Sequence, residues 1–92
     1  MSEARLTIIL PGMLAELLGG ERRIEVAGDT LKSALEDLVR QRPGLGLHLL
    51  DEAGKLRRHI LCFCNDTYTR TELDVPVGPG DTITLLHAVS GG

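Results

Sequence analysis

The chain ends Ala88-Val89-Ser90-Gly91-Gly92, and its plainest chemistry lies in the last two residues. A terminal α-carboxyl has an ordinary pKa near about 3.5, so at neutral pH Gly92 carries an anionic oxygen nucleophile that needs no neighbouring base. Glycines lack Cβ and tolerate φ angles that other residues resist, so such an end threads a narrow channel that side chains would block. A frayed end or a cloning remnant also reads Gly-Gly, and the residues that run into it must decide between these readings. Cys62 and Cys64 are the other candidate nucleophiles. Two apart in a strand, they point the same way about 7 Å from each other, which is poor disulfide geometry. Buried thiols in a reducing compartment fit that placement. His48, His59 and His87 show no metal-site spacing, and with both cysteines turned into the core no metal site is expected. The sequence has no Gly-rich phosphate loop followed by Lys-Ser or Lys-Thr, and no nucleophile with a base at motif spacing.

The framework that positions these groups is small. Ninety-two residues make one domain, 1–92, with room for one core and no buried cleft. With one Phe, one Tyr and no Trp, that core must be aliphatic. A net charge of −3 with dispersed cations leaves no footprint for a phosphate backbone, and there is no aromatic platform for bases, so no nucleic-acid partner is expected. Leu6 to Leu18 is interrupted by Pro11-Gly12 and Glu16 and is too short to cross a bilayer. A cytoplasmic protein without membrane attachment is the expectation.

Along the chain, Leu6, Ile8 and Leu10 alternate with Thr7 and Ile9 as in a half-buried strand that Pro11-Gly12 ends. Met13 to Leu18 reads as a short turn-like segment, and Ile24 and Val26 alternate with charge in a second strand that completes a hairpin-like unit. Gly28-Asp29-Thr30 supplies cap residues before Leu31, Ala34, Leu35, Leu38 and Val39, the apolar stripe of an amphipathic helix. Arg40 and Arg42 complement its dipole, and Pro43-Gly44 stops it. Leu45 to Arg58 is mixed, with a surface turn at Asp51 to Lys55. Ile60 to Asn65 is a third strand, Tyr68 to Leu73 a weak edge strand or connection, and Thr82 to Leu86 a last strand after the dense turn Val77 to Asp81. The compact solution is an α+β domain in which a mixed sheet of four to five strands carries one main helix on one face.

This order of elements resembles the ThiS/MoaD family of ubiquitin-like sulfur carriers, whose fold is the β-grasp. The residues that carry the resemblance are the opening strand, the Gly28-Asp29-Thr30 entry to a helix containing Ala34-Leu35, Pro43-x-Leu45, Phe63-Cys64-Asn65-Asp66, the Gly80-Asp81 turn and the terminal Gly91-Gly92. The family commonly has proline where His87 stands. The resemblance implies a flexible tail over residues 87–92, with Ala88, Val89, Ser90 and Gly91 entering a partner's active site. It implies that the Gly92 carboxylate is adenylated by a ubiquitin-activating-type adenylyltransferase, and that a sulfur donor then converts it to a thiocarboxylate. The product delivers sulfur to a downstream synthase in molybdopterin, thiamin, cysteine or tRNA biosynthesis. On this reading the chain is a substrate of enzymes and not itself an enzyme. It holds no permanent cofactor, and ATP and Mg belong to the activating partner. Two other fates share the fold: a ubiquitin-like modifier joined to lysines through Gly92, and a non-covalent small subunit of a synthase.

Alternation also predicts a partner face. If Ile60, Cys62, Cys64, Ile83 and Leu85 turn toward the helix, then Thr7, Ile9, Leu61, Phe63, Thr84 and Leu86 lie on the opposite side with no second layer to cover them. An apolar patch of Leu61, Phe63 and Leu86, with His87 beside it, is the expected docking site, ringed by Arg57, Arg58 and Arg70 unless the Leu45 to Arg58 excursion covers it.

Overall fold

The computed structural model describes residues 5–69 and 73–88. Its strands are β1 (Arg5–Ile9), β2 (Arg23–Ala27), β3 (Ile60–Cys64), β4 (Thr67–Thr69) and β5 (Thr82–His87). The helices are α1 (Gly12–Leu17), α2 (Leu31–Gln41) and α3 (Gly46–Leu49), with a 3₁₀ turn at Pro43–Leu45. One five-stranded sheet has the order β2-β1-β5-β3-β4. β1 and β5 run parallel at its centre, and every other pairing is antiparallel.

Register fixes which side chains share a face. Ile8 pairs with Ile24 and Ile83, and Cys62 with Leu85, so these inward residues form one buried layer under α2. Leu31, Ala34, Leu35 and Leu38 close that layer from the helix side. The helix begins where the cap residues indicate: Thr30 Oγ1 accepts from Ser33 N–H at 3.1 Å and Ser33 Oγ accepts from Thr30 N–H at 3.0 Å, a reciprocal capping box. The next two helix N–H groups are orphans by geometry, and the chain returns to serve them, Leu31 N–H donating to Val75 C=O and Lys32 N–H to Leu73 C=O. Gly28 is required at this approach, since a Cβ there would lie 2.7 Å from Ala34 N.

One carboxylate also serves the fold. Asp37 on α2 is buried and accepts from Ala27 N–H at 3.0 Å on the outer edge of β2, as well as from Gln41 Nε2 and the Arg40 guanidinium. The Ala27 amide, then Gln41 and Arg40, hold its carboxyl below the ordinary carboxylate range against the opposing effect of burial.

Three expectations are corrected. The segment from Met13 to Leu18 is not a turn but lies mostly in the helix α1, nucleated where Leu14 and Ala15 N–H donate to Pro11 C=O. Gly19 and Gly20, at φ +74 and +97, end it by closing back on Glu16 and Ala15. Cys64 does not share the full burial of Cys62, because β3 ends there and the chain turns through Asn65 at φ 56. His87 is the last residue of β5, paired with Ile60, so residue 87 belongs to the sheet and not to the tail.

Candidate functional site

β5 aims the C-terminal residues. Its start is fixed by a polar knot: Gly80 takes φ +86, Asp81 Oδ2 accepts from Gly78 N–H at 2.8 Å, and Asn65 Oδ1 accepts from Thr82 N–H at 3.1 Å. From there β5 is hydrogen-bonded on one side to β1 and on the other to β3. At its far end Ala88 N–H donates to His59 C=O at 2.7 Å, and Ala88 is exposed. The expected adenylation residue Gly92, with Val89, Ser90 and Gly91 before it, lies outside the described residues.

The outer face of the sheet collects Leu61, Phe63 and Leu86 of the expected docking residues, whereas His87 is corrected: it pairs with the buried Ile60, and alternation from Leu86 turns it to the helix side. Leu61 pairs with Leu86, and Phe63 pairs with both Thr84 and Tyr68, so all stand on one side with Ile9 beyond Thr84. Leu61 and Phe63 are half-buried, Leu86 is 41% exposed and Tyr68 is 49% exposed. The Phe63 and Tyr68 rings tilt against each other with centroids 5.4 Å apart. Toward the other edge the same face turns polar, where Arg5 pairs with Glu25 at 3.3 Å and Arg23 lies opposite Ile9. The face is therefore graded from charged on β2 to apolar on β3, β4 and the end of β5.

The Leu45 to Arg58 excursion meets the patch at Leu61 and leaves Leu86 and Tyr68 exposed. It buries Leu45 and Leu49 in the core, and its later part borders the patch with a cleft of about 470 Å³ lined by Asp51, Lys55, Leu56, Arg57, Arg58, Ile60, Leu61 and Tyr68. Arg57 is held there by donation from Nε to Leu47 C=O at 2.7 Å. Asp51 sits below the ordinary carboxylate range because the Lys55 and Ala53 amides donate to it, with Arg57 and Lys55 adding positive charge. Arg70, the third expected cation, lies outside the described residues.

The thiols are poor nucleophiles in this setting. Burial pushes Cys62 up to about 11, and the half-buried Cys64 is raised by the same cause, so neither carries appreciable thiolate at neutral pH. Among the described residues no group of three or more His, Cys, Asp or Glu side chains is placed to hold a metal ion, and no helix is long and apolar enough to cross a membrane. Sequence reasoning missed one feature, the stacked pair His59–His87 at the end of β5. The residues are far apart in sequence, and only the β3–β5 register brings them together.

Comparison with known proteins gives concordant results. A family model described as the ThiS family matches residues 8–92. The sulfur carrier protein CysO of Mycobacterium tuberculosis is 33% identical over 90 residues, covering 94% of this chain and 97% of the relative. The crystal structure of an Amycolatopsis orientalis BexX/CysO complex includes a chain that matches with a TM-score of 0.81 at 33% identity, over 95% of this chain and 99% of that one. SAMP1 of Haloferax volcanii, a small archaeal modifier protein, superposes with a TM-score of 0.82 at 31% identity, over 96% of this chain and 99% of its own.

Proposed function

From the premise that the chain belongs to the ThiS family, we propose that it is a sulfur carrier whose reactive group is the Gly92 carboxylate. The observation that carries this reading is that the family match runs through the diglycine to residue 92 on a β-grasp sheet whose central strand leads directly into it. In an adenylyltransferase of the ubiquitin-activating type, a carboxylate oxygen of Gly92 attacks the α-phosphorus of ATP and pyrophosphate leaves. The resulting acyl adenylate is attacked at its carbonyl carbon by sulfide from a sulfur donor, AMP leaves, and the tail then ends in a thiocarboxylate. The chain supplies no base, because the carboxylate is already ionised at neutral pH. The donated sulfur is not its own, since the tail contains no cysteine and both thiols are held protonated in the domain. A downstream synthase then takes the sulfur for cofactor, cysteine or tRNA biosynthesis.

The likeness to SAMP1, a modifier protein, favours a second use of the same intermediate, in which a lysine amine takes the acyl group in place of sulfide. The two readings share adenylation and part at the acceptor.

Removal of Gly92 is the test. The truncated protein keeps its melting transition and loses ATP–pyrophosphate exchange with the cognate activating enzyme. Unchanged exchange overturns the reading. With the intact chain, a mass gain of one sulfur for oxygen at the C-terminus identifies the carrier, and an isopeptide bond to a partner lysine identifies the modifier.

A further inference from the structure

Three observations meet where β5 leaves the sheet. The β3–β5 ladder continues one step past His87, through Ala88 N–H donating to His59 C=O at 2.7 Å. The imidazoles of His59 and His87 stack with centroids 5.6 Å apart and planes within 4° of parallel. His59 itself is set by the turn before β3, where Ile60 N–H donates to Arg57 C=O at 2.9 Å. The last backbone bond of this ladder among the described residues is thus reinforced by a side-chain contact across the same two segments, at a separation typical of offset stacked rings. The domain core does not use this pair: His59 is exposed and His87 is half-buried.

Resting on the carrier reading of Gly92, we propose that the His59–His87 stack is a positioning collar that fixes the departure point of the tail at Ala88, so that residues 89–92 alone enter the partner's site. Four extended residues span at most about 14 Å, which limits the depth at which the collar can deliver the carboxylate. Each further residue freed from the sheet lengthens the reach by about 3.5 Å and adds backbone freedom that must be lost when the carboxylate is aligned on phosphorus. The collar therefore acts through the tail on the chemical step and leaves docking, which uses the sheet face, unaffected.

The test compares His59→Ala, His87→Ala and the ring-preserving double variant His59→Phe/His87→Phe in the full-length protein. The readouts are the melting transition, hydrogen exchange of the Ala88 amide, and kcat and KM for ATP–pyrophosphate exchange with the cognate activating enzyme. In each alanine variant the Ala88 amide exchanges about tenfold faster or more, and kcat falls about tenfold with KM unchanged within about twofold. The double phenylalanine variant recovers both. Unchanged protection of Ala88, failure of the phenylalanine pair to recover kcat, or a rise in KM alone each overturns the collar. The two proposals fail separately. Wild-type behaviour of the histidine variants, with an inactive Gly92 truncation, rejects the collar and leaves the carrier; an active truncation rejects the carrier, while Ala88 protection still reports on the stack.

Discussion

Neighbouring residues on β5 have opposite surroundings: Leu85 is fully buried under α2, whereas Leu86 is 41% exposed on the other side of the sheet. The same holds on β3, where Cys62 is buried and Phe63 is half-buried. The helix side is completed from within the chain, because the stripe of α2 covers the aliphatic layer of β1, β2, β3 and β5. The outer side carries apolar area that the fold does not need for closure, concentrated on β3, β4 and the end of β5, with cations at its border. Closure of the core and uncovered apolar surface therefore fall on alternate residues of the same strands.

The largest expected effect tests that division directly. Leu85→Ala should cost about 2–5 kcal/mol in denaturant unfolding, since it opens a cavity beneath the helix. Phe63→Ala, on the adjacent strand β3 next to Leu85's partner Cys62 but on the outer face, should cost about 1 kcal/mol or less while weakening capture by the activating enzyme or synthase by about 2 kcal/mol. If Phe63→Ala unfolds the protein and spares binding, the two faces have been assigned the wrong way round.

A middle-sized effect concerns the charge within the helix side. Because the Asp37 carboxyl is held below its ordinary range, its contribution is fully present above the unfolded carboxylate pKa and is lost as pH falls through the lower folded value. Asp37→Asn should be less stable than wild type by about 1–2 kcal/mol at neutral pH, with the gap narrowing below about pH 4. Urea unfolding at pH 7 and pH 3 measures this, and a gap that does not vary with pH would mean that the shape of the side chain matters and its charge does not.

The smallest effect separates two residues of one face. A polar thiol reagent should label both cysteines slowly in the native state, Cys64 ahead of Cys62, because β3 ends at Cys64 while Cys62 lies deeper and its thiol is pushed up to about 11. Equal rates would show that the end of β3 is as closed as its middle.

Much of this was legible before any coordinates. Strict alternation in Leu6–Ile8–Leu10 and in Ile60–Cys62 gave both the strands and the buried face, and Thr30 marked the start of α2. A mixed sheet with one main helix on one face followed from the order of elements, and the β-grasp arrangement was what the family resemblance implied. The helix α1 was not legible, because six residues with only Leu14 and Ala15 buried are too few to display a period. Asp37 reads in sequence as one more polar residue on the far side of a helix, yet it is buried because the Ala27 amide at the edge of β2 needs an acceptor. The outer apolar face was legible in Leu61, Phe63 and Leu86 but not in His87, which the register turns to the other side, and the cleft beside it depends on how the chain folds between Asp51 and Arg58.

The central position of β5 has a mechanical consequence. An end strand held at one edge peels away one bond at a time when its tail is pulled. β5 is flanked on both sides, parallel to β1 and antiparallel to β3, so a tug on the tail loads two ladders together and in shear. The load passes on through the paired strands to β2 and β4 at the margins. On the proposed carrier reading, a partner that drew on the tail would therefore pull against the whole sheet and not against a single edge strand.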